Sequence, residues 1–386
     1  MQHTFAVRLP RFTTACALIC AALATAGCDT FTSDPVTLIK DMRLIAIRAD
    51  PPFIAGPGQT KAPLGSQTTL TPLIADRGST EQLCYAWRLC PFAWAKDGNY
   101  KCVSEKLEVD LGTNPTAKVS ALDVFKSLEN FEEVIEELGL GNAFGGGGPT
   151  SAGGARQQQQ DSATGLEATV LFMIGKQSVF GGSCPKTSEE MLRDVCPQRA
   201  GCVQGYTKLS LATNDKQANT APVIDEVRMG GVLWPAALTP TVAPYIVDDP
   251  NAPTGLDQEA RKRGLEMGPR FDPAVMELIK PAEGVQPEVR ETLSFSWYST
   301  HGRFRYSKTS DRVTDNRYTP LPPGEDHSDE ADMSQVTASI WLVARDSRNG
   351  ITWRERKVII DKNLKSTDHP LCAMDASLDG CDKVAK

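Results

Sequence analysis

Short runs of alternating large apolar and small or polar residues recur along this chain. Residues 83–87 (Leu-Cys-Tyr-Ala-Trp) and 293–297 (Leu-Ser-Phe-Ser-Trp) carry large apolar side chains at every second position and end in tryptophan. A period of two places these side chains on one face of a β-strand. We therefore expect Trp87 and Trp297 to lie between two packed sheets, each in a core of its own.

Further runs of this kind predict an all-β fold with two β-sandwich domains, over residues 42–213 and 223–362, joined by a polar linker at 214–222. The 386 residues are too many for one ordinary core. A long hairpin ends the second domain, because Asn349-Gly350 supplies the tight turn between two apolar strands. The predicted strands cover residues 42–49, 68–75, 83–90, 166–174, 206–212, 223–229, 242–247, 274–279, 291–299, 336–344 and 351–360.

The hydrophobic period changes to three and four over residues 121–138, which predicts an amphipathic helix. A segment rich in Gly and Gln follows, too polar and flexible to pack. Together they form a predicted insertion at residues 120–165 in the first domain. The helix either covers an open edge of the sandwich or docks a partner protein through Phe125, Leu128 and Phe131.

The N-terminus has the pattern of an export signal over residues 1–27. Arg8 and Arg11 precede an apolar run at residues 15–26, which is about half the length that spans a bilayer. The end of this run and the two residues after it, Ala24-Thr25-Ala26-Gly27-Cys28, resemble the lipobox of bacterial lipoproteins. This resemblance implies a lipid on Cys28, a membrane anchor and a tether at residues 28–41. The alternative is cleavage after Ala26 by ordinary signal peptidase, which would release a soluble protein.

The number of cysteines favours lipidation. Eleven cysteines less two in the leader leave nine, and modification of Cys28 leaves eight, an even number suited to disulfides in an oxidising compartment. The expected location is the bacterial cell envelope, facing the periplasm or the cell surface. The outer membrane is favoured over the inner, although Asp29 retains lipoproteins at the inner membrane in some bacteria.

Strand geometry limits how the eight remaining cysteines pair. Cys84 and Cys90 share one strand about 20 Å apart, too far for a disulfide. Cys90 and Cys102 bracket a turn at Asp97-Gly98 and are expected to pair. Cys84 is then expected to form one long-range bridge into the cluster of Cys184, Cys196 and Cys202. Cys372 and Cys381 are expected to close a C-terminal tail at residues 363–386.

Short strands, Gly and Pro turns and a tryptophan strand in each half resemble the immunoglobulin-like and PKD-like modules of bacterial surface lipoproteins. The resemblance covers most of residues 42–213 and 222–362. It implies a non-enzymatic envelope protein that acts as a scaffold, an adhesion module or a ligand-binding component, with an envelope protein or a glycan as partner. An accessory subunit of an envelope assembly or secretion complex, docking through residues 121–138, is the alternative.

Charge and motifs indicate neither nucleic-acid binding nor a cofactor. The chain has 41 Lys and Arg against 48 Asp and Glu, with no basic cluster for phosphates. No nucleophile elbow occurs, so a hydrolase would need an unrecognised site. The histidines and one group of acids are predicted to be solvated loop residues; they are His301, His327, His369, Asp326, Asp329, Glu330 and Asp332.

Two weaker patterns remain. Asp375, Ser377 and Asp379 have the spacing of the first half of a calcium loop, but position twelve is Lys386 instead of glutamate. The alternative there is an acidic tail closed by its disulfide. The strand at Trp353, with Arg354 and Arg356, is either a charged face that guards a sheet edge or a ligand or glycan platform.

Overall fold

A computed structural model of the chain describes residues 37–56, 67–77, 79–91, 93–96, 99–137, 166–193, 196, 201–212, 215, 218–244, 264–279, 289–364 and 369–384. The predicted leader, Cys28 with the first part of the tether, and the Gly- and Gln-rich segment lie outside these ranges. Among the described residues, no helix combines the length and the apolar character that a membrane crossing requires.

The fold is all-β, as predicted, and its first half contains ten strands in the described residues. These are β1 (Arg43–Asp50), β2 (Phe53–Ala55), β3 (Gln67–Ala75), β4 (Leu83–Cys90), β5 (Ala93–Lys96), β6 (Asn99–Cys102), β7 (Val109–Gly112), β8 (Ala117–Ser120), β9 (Leu166–Lys176) and β10 (Cys202–Ala212). Short 3-10 turns lie at Glu105–Leu107 and Gln177–Phe180.

Two sheets enclose the first core. Their strand orders are β1–β3–β8 and β2–β10–β9–β4–β7, and β5 pairs only with β6. Trp87 is fully buried between the sheets, and its indole N–H donates to the carbonyl of Asn114 at 2.9 Å. The proline pair after β1 ends that strand, as predicted, and the chain then enters the opposite sheet as β2. That crossing was not predicted.

The predicted single helix at 121–138 is two helices, α1 (Ala121–Leu128) and α2 (Phe131–Glu137). Ser120 caps α1 in a capping box with Asp123. The break between the helices follows from tertiary contacts: the Asn130 side chain donates to the carbonyl of Lys106 at 3.2 Å, which fixes the chain where it turns. Val124 of α1 is buried against the first core. A third helix, α3 (Ser188–Arg193), packs on the cysteine-rich side of this sandwich.

The second half contains β11 (Glu226–Met229), β12 (Val232–Leu233), β13 (Thr241–Val242), β14 (Leu265–Arg270), β15 (Leu278–Ile279), β16 (Val289–Arg290), β17 (Ser294–Ser299), β18 (Arg303–Phe304), β19 (Lys308–Ser310), β20 (Asn316–Thr319), β21 (Gln335–Arg345) and β22 (Ile351–Asp361). Helices α4 (Pro370–Met374) and α5 (Cys381–Val384) follow, and 3-10 turns lie at Pro273–Val275 and Ser328–Glu330. The strands form sheets in the orders β12–β11–β14–β20–β18 and β13–β22–β21–β17–β19, with β15–β16 as a separate pair.

Trp297 lies in this second core with 1% of its surface exposed, and its indole N–H donates to the Thr309 hydroxyl at 3.0 Å. A third indole, Trp234, is fully buried in the same core, although no alternating pattern marks that residue. The strand predicted at 274–279 is instead a 3-10 turn followed by the two residues of β15. Asp272 caps this turn and Pro273 begins it, which favours a turn over a strand. Of the strand predicted at 242–247, residues 245–247 lie outside the described ranges.

The C-terminal tail is not a free polar segment. Leu371 in α4 is fully buried in the second core, and the Cys372–Cys381 bridge joins α4 to α5. His369 Nε2 lies 2.9 Å from the carbonyl oxygen of Met229. The tail therefore closes one end of the second sandwich.

The predicted tether is also packed where the structure describes it. Leu38 and Ile39 are buried, and residues 37–39 pair with the end of β17. The Ile39 N–H donates to the carbonyl of Ser299 at 2.8 Å, and the Ser299 N–H donates to the carbonyl of Thr37 at 2.9 Å. The chain thus contacts the second sandwich before it forms the first strand of the first sandwich.

Candidate functional site

The outer faces of two sheets, one from each sandwich, meet in an apolar cluster that we call the junction. From the first half and the segment before it come Ile39, Ile45, Ala46 and Ala75; from the second half come Trp341 and Val343. A register shift in β1 between Leu44 and Ala46 turns this strand so that it serves both the first core and the junction. The two sandwiches are therefore packed together by buried apolar surface.

Hydrogen bonds fix the alignment of the junction. The Arg345 guanidinium donates to the carbonyl of Ile45 and to the hydroxyl of Ser296, both at 3.0 Å. The Arg48 guanidinium lies 4.7 Å from the ring centre of Trp353, a cation–π contact between the two halves. Trp353 thus belongs to the junction.

One edge of the junction is charged. Arg77, which follows β3, donates to Glu330 Oε1 at 2.6 Å and to Asp329 Oδ2 at 2.9 Å. The Arg77 side chain is 23% exposed and that of Glu330 is 11% exposed, whereas Asp329 is mostly in solvent. The pair with Glu330 is therefore the stronger link between the sandwiches.

Glu330 connects this edge to two buried histidines. His301 Nε2 lies 2.7 Å from Glu330 Oε2, and its Nδ1 lies 3.0 Å from the Thr300 hydroxyl. His327 meets His301 edge-on, and its Nε2 lies 2.7 Å from the carbonyl of Thr300. His301 and His327 are only 5% and 6% exposed, so the prediction of solvated loop histidines was wrong for both. Pairing with Arg77 and His301 also overturns the solvated reading of Glu330.

Burial shifts the pKa values of this cluster. It lowers the pKa of His301, and the hydrogen bond to Glu330 acts in the opposite direction. Burial raises the pKa of Asp326, partly offset by the Gly302 N–H that donates to its Oδ2 at 2.6 Å. Within the described residues, the Oδ1 of Asp326 has no hydrogen-bond partner. The bond to Gly302 and the buried Oδ1 correct the prediction that Asp326 is an ordinary solvated charge.

Glu330, His301 and Thr300 form a chain of carboxylate, imidazole and hydroxyl, the order found in nucleophilic catalysis. The Thr300 hydroxyl is itself an acceptor for the Ser339 N–H at 3.0 Å, and Thr300 is only 5% exposed. The Thr300 hydroxyl oxygen is therefore buried and already hydrogen-bonded within the protein. The arrangement fixes the turn after β17 and holds it against Arg77.

A second buried charge cluster surrounds Arg348 in the turn of the β21–β22 hairpin. Its guanidinium contacts Glu291 and Glu277 and donates to the carbonyl of Ala218 at 3.1 Å. Burial raises the pKa of Glu291, and the Arg348 charge opposes that shift. Ala218 lies in the predicted linker at 214–222, so this cluster anchors the linker on the second sandwich where it is described.

The predicted surface patch is not a single exposed surface. Arg356 is 9% exposed and its Nε donates to the carbonyl of Trp234 at 2.8 Å, while Trp353 packs in the junction on the other face. Alternation along β22 accounts for this, because successive side chains point to opposite faces and both faces are covered here.

The calcium spacing does not form a calcium loop. Asp375 Oδ1 accepts from the N–H and the hydroxyl of Ser377, at 2.9 and 2.6 Å. Asp379 Oδ2 pairs with Arg228 at 2.7 Å. Within the described part of the chain, no group of three or more His, Cys, Asp or Glu side chains could hold a metal ion.

The residues proposed for docking have different environments. Phe125 is 43% exposed, whereas Leu128 packs against the first core and Phe131 is half-buried. Leu122, which is not among the predicted docking residues, is 70% exposed and lies one turn before Phe125. The exposed apolar pair of α1 is therefore Leu122 and Phe125.

Four disulfides join the eight cysteines that follow Cys28. The long-range bridge runs from Cys84 to Cys184, and the two expected local bridges, Cys90–Cys102 and Cys372–Cys381, are present. The remaining pair is Cys196–Cys202. Four disulfides are typical of an exported protein outside the reducing cytoplasm.

No protein-family model matches the chain, and no curated protein matches it in sequence. A solved structure of three N-terminal domains of the highly immunogenic outer capsid protein of bacteriophage RB49 covers 83% of this chain and 70% of its own, at 10% identity and a TM-score of 0.16. Dimeric latent PorU from Porphyromonas gingivalis covers 84% of this chain at 9% identity and a TM-score of 0.18, and this chain spans 24% of that one. Neither score supports an argument about fold or function.

Proposed function

We propose that this protein is a lipid-anchored component of the bacterial cell envelope that works without catalysis, as a rigid two-domain scaffold, adhesion or ligand-binding body. The observation that carries the proposal is the junction. Separate modules on flexible linkers would leave their outer sheet faces in solvent, whereas here apolar side chains, Arg345 and the Arg77–Glu330 pair join the sandwiches.

The anchor part of the proposal is supported by the lipobox-like residues that precede Cys28 and by the pairing of all eight later cysteines. With no thiol left over among them, Cys28 is the one cysteine after the leader that is available for a thioether. The docked segment at residues 37–39 leaves only residues 28–36 between the proposed lipid and the folded body. Such a segment spans about 30 Å at most, so the body stays close to its membrane.

Fractionation of cells that express the full chain tests the anchor. We expect the wild-type protein in the membrane fraction, with a mature mass that includes acyl chains and no free thiol. The variant Cys28→Ser should appear in the soluble exported fraction with the same four disulfides. A wild-type protein that is cleaved after Ala26 and recovered in the soluble fraction would contradict the anchor.

A second function, as an accessory subunit of an envelope assembly, is favoured by one specific observation. Leu122 and Phe125 expose large apolar surfaces on consecutive turns of α1. Deleting the whole helix would be a poor test, because Val124 is buried in the first core. The double variant Leu122→Ser/Phe125→Ser leaves the core intact and should abolish co-purification of a stoichiometric envelope partner. The matched variant Lys126→Ser, at an exposed polar position of the same helix, should retain the partner.

A further inference from the structure

Two arginines on β22, Arg354 and Arg356, point into the space between the two sheets of the second sandwich. They lie opposite Leu342 and Ile340 in the β21–β22 ladder, and both of these residues are in the second core. Directly opposed residues of an antiparallel pair share a face. The two guanidinium groups, two positions apart on one strand, are therefore inward-facing neighbours.

Both arginines are oriented by carbonyl oxygens. Arg356 donates to the carbonyls of Trp234 at 2.8 Å and Glu355 at 2.7 Å, and Arg354 donates to those of Ile224 at 2.6 Å and Trp353 at 3.3 Å. These bonds restrict the rotamers but bring no negative charge. Across the described residues, no carboxylate forms an ion pair with either guanidinium.

Donor groups of both guanidiniums are left over. An arginine has five N–H donors, and each of these two uses only part of that set. The Nη2 of Arg356 and the Nε of Arg354 make no hydrogen bond to the residues that the structure describes. Arg356 is more than nine-tenths buried, while Arg354 is partly exposed and gives the pair access to solvent.

Two neighbouring cations without an acid are expensive to bury. Burial, and after it the charge of Arg354, lowers the pKa of Arg356. The other buried arginine of this sandwich, Arg348, contacts two glutamates instead. The difference between these positions points to an external anion.

We propose that Arg354 and Arg356 form a binding site for an oxyanion of the phosphate class. Planar guanidinium groups match the oxygen spacing of phosphate and bind it through paired N–H donors. Two positive charges suit a doubly charged anion better than chloride. The site does not depend on the proposed lipid anchor. Its ligand is either a free phosphate or the phosphate of an anionic lipid headgroup.

Calorimetric titration of the mature chain with inorganic phosphate, at an ionic strength held constant with chloride, tests the site. We expect one saturable site per chain. Arg354→Met should weaken binding by at least about tenfold, because it removes a charged hydrogen-bond donor. Arg354→Lys, which keeps the charge but not the paired donors, should bind phosphate with an affinity between those of the wild type and Arg354→Met. Arg312→Met, at an exposed turn arginine, should bind like the wild type.

Vesicles separate the two sources of phosphate. The Cys28→Ser chain is sedimented with vesicles of phosphatidylglycerol and phosphatidylcholine, and with vesicles of phosphatidylcholine alone. Sedimentation with the anionic vesicles only, lost in Arg354→Met and reversed by inorganic phosphate, supports the lipid headgroup. Saturable phosphate binding without sedimentation supports a free anion. The absence of saturable phosphate binding, or binding that Arg354→Met leaves unchanged, would overturn the proposal.

Discussion

The two sandwiches share a fold class but are stabilised by different chemistry. The first contains three disulfides, of which Cys84–Cys184 spans 100 positions. In the second, the described residues contain one disulfide, in the C-terminal tail, and two buried charge clusters around Arg348 and His301. The first half should therefore respond more strongly to reductant. The second should respond more strongly to the loss of a single charge, because the Arg348 and Glu291 side chains are 5% and 1% exposed, whereas Arg88 and Glu108, paired in the first half, are both 15% exposed.

Removing the long-range bridge should give the largest effect. In the chain-entropy model a crosslink that spans 100 residues contributes about 5 kcal/mol. We expect the double variant Cys84→Ala/Cys184→Ala to lower the free energy of unfolding of the first sandwich by about that amount. Chemical denaturation, with hydrogen exchange of peptides from β4 and β9, measures the change.

The tail bridge serves as the control for that experiment. Cys372–Cys381 spans nine positions, and its removal should cost about 2.5 kcal/mol, confined to the second sandwich. If Cys84→Ala/Cys184→Ala and Cys372→Ala/Cys381→Ala raised the hydrogen-exchange rates of the same peptides to the same extent, the proposed division between the two halves would be wrong.

Breaking the Arg348 cluster should destabilise the second sandwich nearly as much as loss of the Cys84–Cys184 bridge destabilises the first. Arg348→Met leaves Glu291 buried without its cation, which typically costs about 3–5 kcal/mol. The matched control is Lys208→Met in the first sandwich, because the Lys208–Glu167 pair is exposed and contributes about 0–1 kcal/mol. Urea unfolding of both variants measures the difference. Equal losses would show that burial of the Arg348 pair is not what matters.

The junction should show an intermediate effect. Arg77→Met removes the link to Glu330 and should cost about 1–2 kcal/mol, since the Arg77 side chain is partly exposed. The readout is hydrogen exchange in peptides that contain Trp341 and Ile45, on either side of the junction. Faster exchange in both peptides, with the cores of the two sandwiches unchanged, is the expected result.

Acid should have the smallest effect. Burial lowers the pKa of His301 and of His369 below the ordinary 6.5, so the unfolded chain binds these protons more readily than the folded chain. Stability that is present above pH 6.5 is therefore lost as the pH falls from about 6.5 towards the lower pKa values of the folded histidines.

The groups around the imidazole of His301 change its pKa in opposite directions. Glu330 favours the charged imidazole and His327 opposes it. The raised pKa of Asp326 acts against the histidines, because it adds stability as the pH falls towards 3.8 and that stability remains below this value. His301→Gln should flatten the stability profile between pH 7 and 6. If the free energy of unfolding of His301→Gln depended on pH as it does in the wild type, His301 would not be a cause of the acid effect.

The sequence was sufficient to predict the main strands, the indoles of Trp87 and Trp297, two of the four disulfides with both partners, and the cluster of cysteines that contains the partner of Cys84. Each of these depends on local spacing: alternation around Trp87 and Trp297, a turn between Cys90 and Cys102, and the length of strand between Cys84 and Cys90. Strand geometry turns such spacing into distances without knowledge of the fold.

The junction and both charge clusters could not be predicted in this way. Glu330 and Arg77 are 253 positions apart, and His301 and His327 stand in turns that resemble ordinary polar loops. The inward orientation of Arg354 and Arg356 on β22 could not be predicted for a related reason. Alternation identifies the two faces of a strand but not which face meets another sheet. Contacts between distant elements decide all of these positions.

Hydrogen exchange of the mature chain, read at residues 37–46, tests the rigid two-domain body most directly. The Ile39 N–H donates to the carbonyl of Ser299 at the edge of the junction, so we predict that the Ile39 amide is protected nearly as well as the amides of β4 and β21. Exchange of this segment within seconds, while both cores stay protected, would show two sandwiches that move independently and would contradict the proposed scaffold.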